Sequence, residues 1–418
     1  MRASWKLGSH TLFVVILSFA ALFAAGAQTV ASPHLVTPAA QTKEKQLWRA
    51  SMLKISPPAK GCYTAAYPSL AWKKADCAPV PAHKVRLPLK TSVKIVGALF
   101  GDIDSQAASP GLITSAQGSF DSVAVTGEAD NGGSSNQFSL QLNTNFFSTP
   151  ACKNAPMGEA NCQGWQQFAF MNDLPDGWAT VFMQYWLLSY GTCPAGWNTL
   201  IEKDKPTGDC WMNDQGFPFT PQNIQSLVNL SILARVEANG TDTVIVSNNE
   251  DGIASYNRDS VLTAAPQWQT AEFNVFGMDG GVQAVFNPGT TLVVRNAVEI
   301  AGSSPTPGTS TKSFTGETNS LTIVQKPCMI GSPFFAVTFE ESNVPGATFS
   351  CPQAAPPLNL CKDEQAALAF DQKALATEQQ KLSSSQCQGP AGFDCTLAIK
   401  AIQAKISADE AIIKKDCR

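Results

Sequence analysis

Two stretches of the chain set amides among aromatic rings. Trp165-Gln166-Gln167-Phe168-Ala169-Phe170 and Phe182-Met183-Gln184-Tyr185-Trp186 both read as strands, along which side chains alternate between faces. Gln166 therefore shares a face with Phe168 and Phe170, Gln167 shares one with Ala169 and Met171, and Gln184 falls between Phe182 and Trp186. Such a face can line a concave groove for an extended polymer, because amides exchange hydrogen bonds with peptide groups or sugar hydroxyls while rings offer flat apolar surface. The histidines narrow the chemistry further. There are three: His10 near the start, and His34 and His83 in Pro-rich segments. The body of the chain has none, which disfavours Ser-His-Asp and Cys-His catalysis and zinc hydrolysis. Chemistry here falls to carboxylates, amides and hydroxyls.

No cofactor and no metal are expected. Gly277-Met278-Asp279-Gly280-Gly281 lacks the Lys-Ser/Thr of a phosphate loop and reads as a hairpin turn. Glu128, Asp130, Asn131 and Asn136 lack the spacing of an EF-hand, and no C-x-x-C pair occurs. A net charge of −4 without clustered Lys and Arg argues against nucleic acid.

The elements that must position these side chains begin after residue 27. Arg2 and Lys6, the apolar run Leu12 to Phe23, and Ala25-Gly26-Ala27 have the layout of a secretory signal peptide over 1–27. The mature chain is then secreted, extracellular or periplasmic, with no membrane span. Twelve cysteines in an exported chain are expected to be oxidised. Neighbour pairing joins Cys62 to Cys77, Cys152 to Cys162, Cys193 to Cys210, and Cys328 to Cys351. Residues 28–92 are Pro-rich and read as an irregular arm. From 93 to 350, short alternating runs separated by turn signals indicate an all-β domain, an antiparallel two-sheet β-sandwich or jelly roll. Asn239-Gly240 is placed to turn Ile232–Val236 back along Thr243–Val246. Residues 351–360 form a linker.

The period then changes. Cys361, Leu368, Leu375 and Leu382 are spaced at seven, Gln388-Gly389-Pro390-Ala391-Gly392 interrupts, and Ile399, Ile402, Ile406 and Ile413 form a second stripe. This predicts an antiparallel αα-hairpin over 361–418, coiled-coil-like, clamped by Cys361–Cys417 at its open end and Cys387–Cys395 beside its loop. A spacer, a self-association stalk and a partner-binding module all fit it.

Over residues 110 to 300, successive fragments resemble the glutamic peptidases, or eqolisins, in strand order. Ile113 to Phe120 and Ser139-Leu140-Gln141-Leu142 are similar to that family's opening "sGtFtvP" and "vWvGIDG" strands. Gly164-Trp165-Gln166-Gln167-Phe168 resembles the "LQTG" strand, which carries the family's catalytic glutamine. Met183-Gln184-Tyr185-Trp186 resembles "WYEWYP", with Tyr185 in place of the glutamate. Thr270-Ala271-Glu272-Phe273-Asn274-Val275 resembles "AEWIVE", which carries the catalytic glutamate. The resemblance implies a concanavalin-like jelly roll and acid endopeptidase chemistry. Glu272 would be the general base and Gln166 the oxyanion donor, a one-residue slip handing that role to Gln167; Gln184, Tyr185 and Trp186 would line the groove. A lectin-like domain binding a glycan polymer without cleavage is the rival expectation.

Overall fold

The computed structural model describes residues 38–80, 96–97, 104–300 apart from 203, 239, 249–251 and 279–281, then 308–310, 315–324, 327–330, 335–351, 360–383 and 395–416. The expected signal peptide lies outside the described residues.

The principal elements are α1 (Pro38–Lys54), β1 (Gly61–Ala66), β2 (Ile113–Ala124), β3 (Gln137–Thr144), β4 (Gln163–Asp173), β5 (Trp178–Leu188), β6 (Lys205–Phe219), β7 (Ser231–Val236), β8 (Thr241–Ser247), β9 (Gly252–Asp259), β10 (Thr270–Gly277), β11 (Thr291–Ile300), β12 (Phe335–Ser342), α2 (Leu360–Ser383) and α3 (Cys395–Asp416). They build an antiparallel two-sheet β-sandwich. The front sheet runs Asn198–Glu202, β6, β5, β4, β3, β10, Gln106–Ala108, Gly308–Ser310. The back sheet runs Lys73–Ala75, β1, β9, β8, β7, β2, β11, β12, Thr322–Ile323. A small third sheet joins Val96–Gly97, Thr318–Asn319, Gln283–Phe286 and Glu128–Asp130. Gly240, at φ +88°, supplies the left-handed residue between β7 and β8, which pair from Ser231 with Ser247 to Val236 with Asp242.

The sandwich core is apolar on both inner faces, with Phe168, Phe170, Val181 and Phe273 from the front sheet meeting Phe120, Ile232, Val244 and Val294 from the back. One glycine sets how closely β10 sits. A Cβ at Gly118 of β2 would lie 2.0 Å from the Phe273 ring, so only glycine lets that ring rest flat on the back sheet. Asn296 of β11 adds a hydrogen bond to the Ala271 carbonyl at 2.7 Å. With the odd-numbered side chains of β10 fixed inward, Glu272 and Asn274 must point outward.

The four expected neighbour disulfides are present: Cys62–Cys77, Cys152–Cys162, Cys193–Cys210 and Cys328–Cys351. The cysteines of the two expected hairpin clamps have no described side chains. The described part of the expected irregular arm, residues 38–80, is more regular than its prolines predict. It contributes α1, strand β1 on the back sheet, and Ala78–Pro79 against β6. Its pattern is weak because, among the described side chains, Trp48, Met52 and Leu53 are its buried apolar residues; packing on the back sheet, rather than periodicity, holds the helix.

Helices α2 and α3 pair as expected but do not stand alone. Ile402, fully buried, and Phe370, Ala374, Leu375 and Ile406 pack with Trp48 and Met52 over Leu233 and Ile245, on the outer face of the back sheet. Lys405 is buried between Asp371 and Asp409, the latter at 2.6 Å. The middle of the hairpin's apolar stripe is thus covered within the chain, while Leu382 towards its loop end stays 47% exposed. Among the described residues, no helix is long and apolar enough to cross a membrane.

Candidate active site

Strand register brings the singled-out polar residues into a line. Glu272 of β10 is opposite Asn143 of β3, Asn143 opposite Gln167 of β4, Gln167 opposite Gln184 of β5, and Gln184 opposite Asn213 of β6. All five sit on the outward face of the front sheet, in one transverse row. Asn143 Nδ2 donates to Glu272 Oε2 at 2.8 Å, and Gln184 Nε2 donates to Asn213 Oδ1 at 2.6 Å. Trp186 Nε1 donates to both Gln167 Oε1 and Gln184 Oε1 at 2.8 Å. Gln167 Nε2 donates to Gln141 Oε1 at 2.8 Å, and Thr315 Oγ1 reaches the same oxygen at 3.1 Å. The row is covered: Glu272 and Asn143 are 0% exposed and Gln167 is 3% exposed.

Rings flank one end of the row. Trp165, Trp186 and Trp211 occupy the next transverse position, with Phe146 against Trp165. Their centroids are 5.8, 5.9 and 6.3 Å apart from Phe146 to Trp211, a continuous aromatic ladder.

Two of the sequence expectations need correction. Gln166 is not on the groove face. It points between the sheets, where its Nε2 donates to Asp242 Oδ2 of β8 at 3.0 Å. Alternation leaves no other choice once Phe168 and Phe170 are in the core. Tyr185 is likewise interior: fully buried, with its hydroxyl donating to Asp214 Oδ2 at 3.4 Å. Asp214 also pairs with Arg258. Burial is the main force on these inner groups, and it pushes Asp242 up to about 6 despite the hydrogen bond from Gln166.

The structure adds acidic residues that the sequence did not single out. Asn274, next but one to Glu272 on the same face of β10, donates through Nδ2 to Asp104 Oδ1 at 3.3 Å and to Glu341 Oε2 at 3.1 Å. Asn319 Nδ2 reaches both oxygens of Glu341 at 3.3 Å. Asp104 and Glu341 are both 0% exposed. Burial first, then the charges of Glu272 and Glu341, hold the Asp104 carboxyl well above its ordinary range. Burial raises Glu341 to about 7 against the amides that donate to it. Asn143 was missed as well, and its Oδ1 is buried without a donor among the described residues. No group of His, Cys, Asp and Glu among the described residues is arranged to hold a metal ion.

No protein-family model matches the chain, and no curated protein does. Two solved structures are similar to 59% of it and to 94% of their own lengths. One is Scytalido-glutamic peptidase with a peptide-based transition-state analog, at 11% identity and a TM-score of 0.26. The other is SCP-B, a member of the Eqolisin family of peptidases, in complex with the tripeptide Ala-Ile-His, at 9% identity and a TM-score of 0.25. Likeness at this level assigns no chemistry.

Proposed function

We propose that this protein is a secreted endopeptidase of the glutamic type, working at acid pH on an extended polypeptide laid across the outward face of the front sheet. The observation that carries the reading is the transverse row: Glu272 and Gln167 share a face, two strands apart, with the shorter Asn143 between them. Two strand spacings are about 10 Å, which leaves room between the longer side chains for a water and a peptide carbonyl. In this reading Glu272 takes a proton from the water as it attacks the carbonyl carbon. Gln167 Nε2 donates to the oxygen as it gains negative charge, and Glu272 returns the proton to the departing amine. Asn143 holds the Glu272 carboxylate through the 2.8 Å hydrogen bond. Asp104, protonated at acid pH, keeps a second negative charge away from the base. None of these steps draws on histidine or a metal. Because Glu272 is covered, substrate must displace its cover, and an unfolded polypeptide at low pH is the substrate to test.

The direct test is hydrolysis of a denatured protein at about pH 3–4, where a free glutamate is still partly ionised. Wild type should cleave, while Glu272→Gln and Gln167→Ala should each lose most of the rate. Activity that survives both substitutions contradicts the proposal.

The aromatic ladder Phe146–Trp165–Trp186–Trp211 favours one second reading, a lectin-like face that binds a glycan without cleavage. Glycan binding by a chain that hydrolyses no polypeptide, abolished by Trp186→Ala, would select it.

A further inference from the structure

On the far side of the molecule, α1 overhangs the outer face of the back sheet and leaves a cleft of about 330 Å³. Two transverse rows of that sheet make its floor. Glu299 and Arg235 flank Ser115 in one row, and Ala297 and Leu233 flank Gln117 in the other. The roof is α1, which lines the cleft with Arg49, Leu53 and Lys54.

The charges in this cleft do not cancel. Arg235 is engaged: its guanidinium donates to Ser56 Oγ at 2.9 Å and to the Leu53 carbonyl at 2.8 Å, and Glu299 lies within its electrostatic reach. Glu299 itself accepts from Ser115 Oγ at 2.5 Å. Arg49 is different. It is partly buried against the cleft and makes no hydrogen bond or ion pair with the described residues. Burial alone acts on it, lowering its pKa. With Glu299 set against Arg235, Arg49 leaves the cleft positive, in a chain whose net charge is −4. A guanidinium presents a planar fork of donors that matches a carboxylate in two parallel bonds.

We propose that this cleft binds a small organic carboxylate with a short apolar tail, its head on Arg49 and its tail against Leu53 and Leu233. At about 30 Å³ per water-sized unit, the volume suits a ligand of about ten non-hydrogen atoms. The carboxylate could belong to a free short-chain acid or to the C-terminus of a small peptide, which offer the same head group.

The test is calorimetric titration of the full chain with hexanoate, N-acetyl-leucine and hexylamine. Saturable binding of hexanoate or N-acetyl-leucine at or below about 1 mM is expected, with none for hexylamine. A preference between the two acids tells a free acid from a peptide terminus. Arg49→Gln should weaken binding of the acid roughly tenfold or more. Arg49→Lys, which keeps the charge without the fork, should fall between the two and guards against a variant that does not fold. Glu299→Gln should bind as well as wild type or more tightly. The proposal is overturned by absence of saturable binding, by equal binding to hexylamine, by an unchanged affinity in a folded Arg49→Gln protein, or by a loss in Glu299→Gln as large as that in Arg49→Gln.

Discussion

Gln166 and Gln167 are neighbours in one strand, equally buried, and have opposite surroundings. Gln167 joins a line of amides and a carboxylate on the outward face of the front sheet, where its hydrogen bonds run to Gln141 and Trp186. Gln166 enters the space between the sheets and is bound to Asp242 across the core. The outward face gathers polar groups along strand register, whereas the interior joins Gln166 to Asp242 by a single bond that leaves Gln166 Oε1 and Asp242 Oδ1 without a hydrogen-bond partner among the described residues. In the proposed reading the first arrangement meets the substrate once uncovered; the second is a buried pair held together by one hydrogen bond. Residue type alone therefore does not mark the glutamine assigned to the proposed chemistry. The face does.

The comparison can be broken by substitution. The largest effect is expected at Glu272: Glu272→Gln should lower acid proteolysis by about a thousandfold or more, read as kcat/KM on an unfolded protein. The same substitution should raise stability at pH 7, because it removes a negative charge beside buried Asp104. An enzyme that becomes less active and less stable at once would contradict the electrostatic account. Gln167→Ala comes next, with a loss of about a hundredfold carried mainly in kcat.

A third expectation sharpens the comparison through pH. Asp104, Glu341 at about 7, Asp242 at about 6 and Glu128 at about 8 are all raised by burial. A carboxyl with a raised pKa in the folded state binds its proton more tightly there than in the unfolded chain. Its stabilising contribution is therefore complete below about pH 4 and is lost as pH climbs through the folded values. Thermal unfolding should shift down by at least about 5 °C between pH 4 and pH 8. A melting temperature that rises over that window would contradict the burial seen for these groups. The smallest effect belongs to the interior: Gln166→Ala should cost about 1–3 kcal/mol of stability by removing the amide that donates to buried Asp242, measured by urea unfolding.

Much of the fold was legible in the residues. Alternation and turn signals marked the strands, and neighbour pairing found the four described disulfides, because each closes a short loop of the chain, 10 to 23 residues apart. Alternation also separated Gln166 from Gln167 and Tyr185 from Trp186. It could not say which face was the core, since that depends on which sheet the strand packs against. Asn143, Asp104 and Glu341 left no mark, because they meet Glu272 and Asn274 only through register and packing between segments far apart in the chain. Helix α1 was hidden for a related reason: its few apolar residues gain their partners from the back sheet and the hairpin rather than from a pattern of their own.

The most direct test sets the two glutamines against each other. Gln166→Ala and Gln167→Ala are assayed side by side for hydrolysis of a denatured protein at about pH 3.5, at a temperature where both remain folded. The account predicts that Gln166→Ala stays within about threefold of wild type while Gln167→Ala falls about a hundredfold. Equal losses in the two variants, or a larger loss in Gln166→Ala, would contradict it.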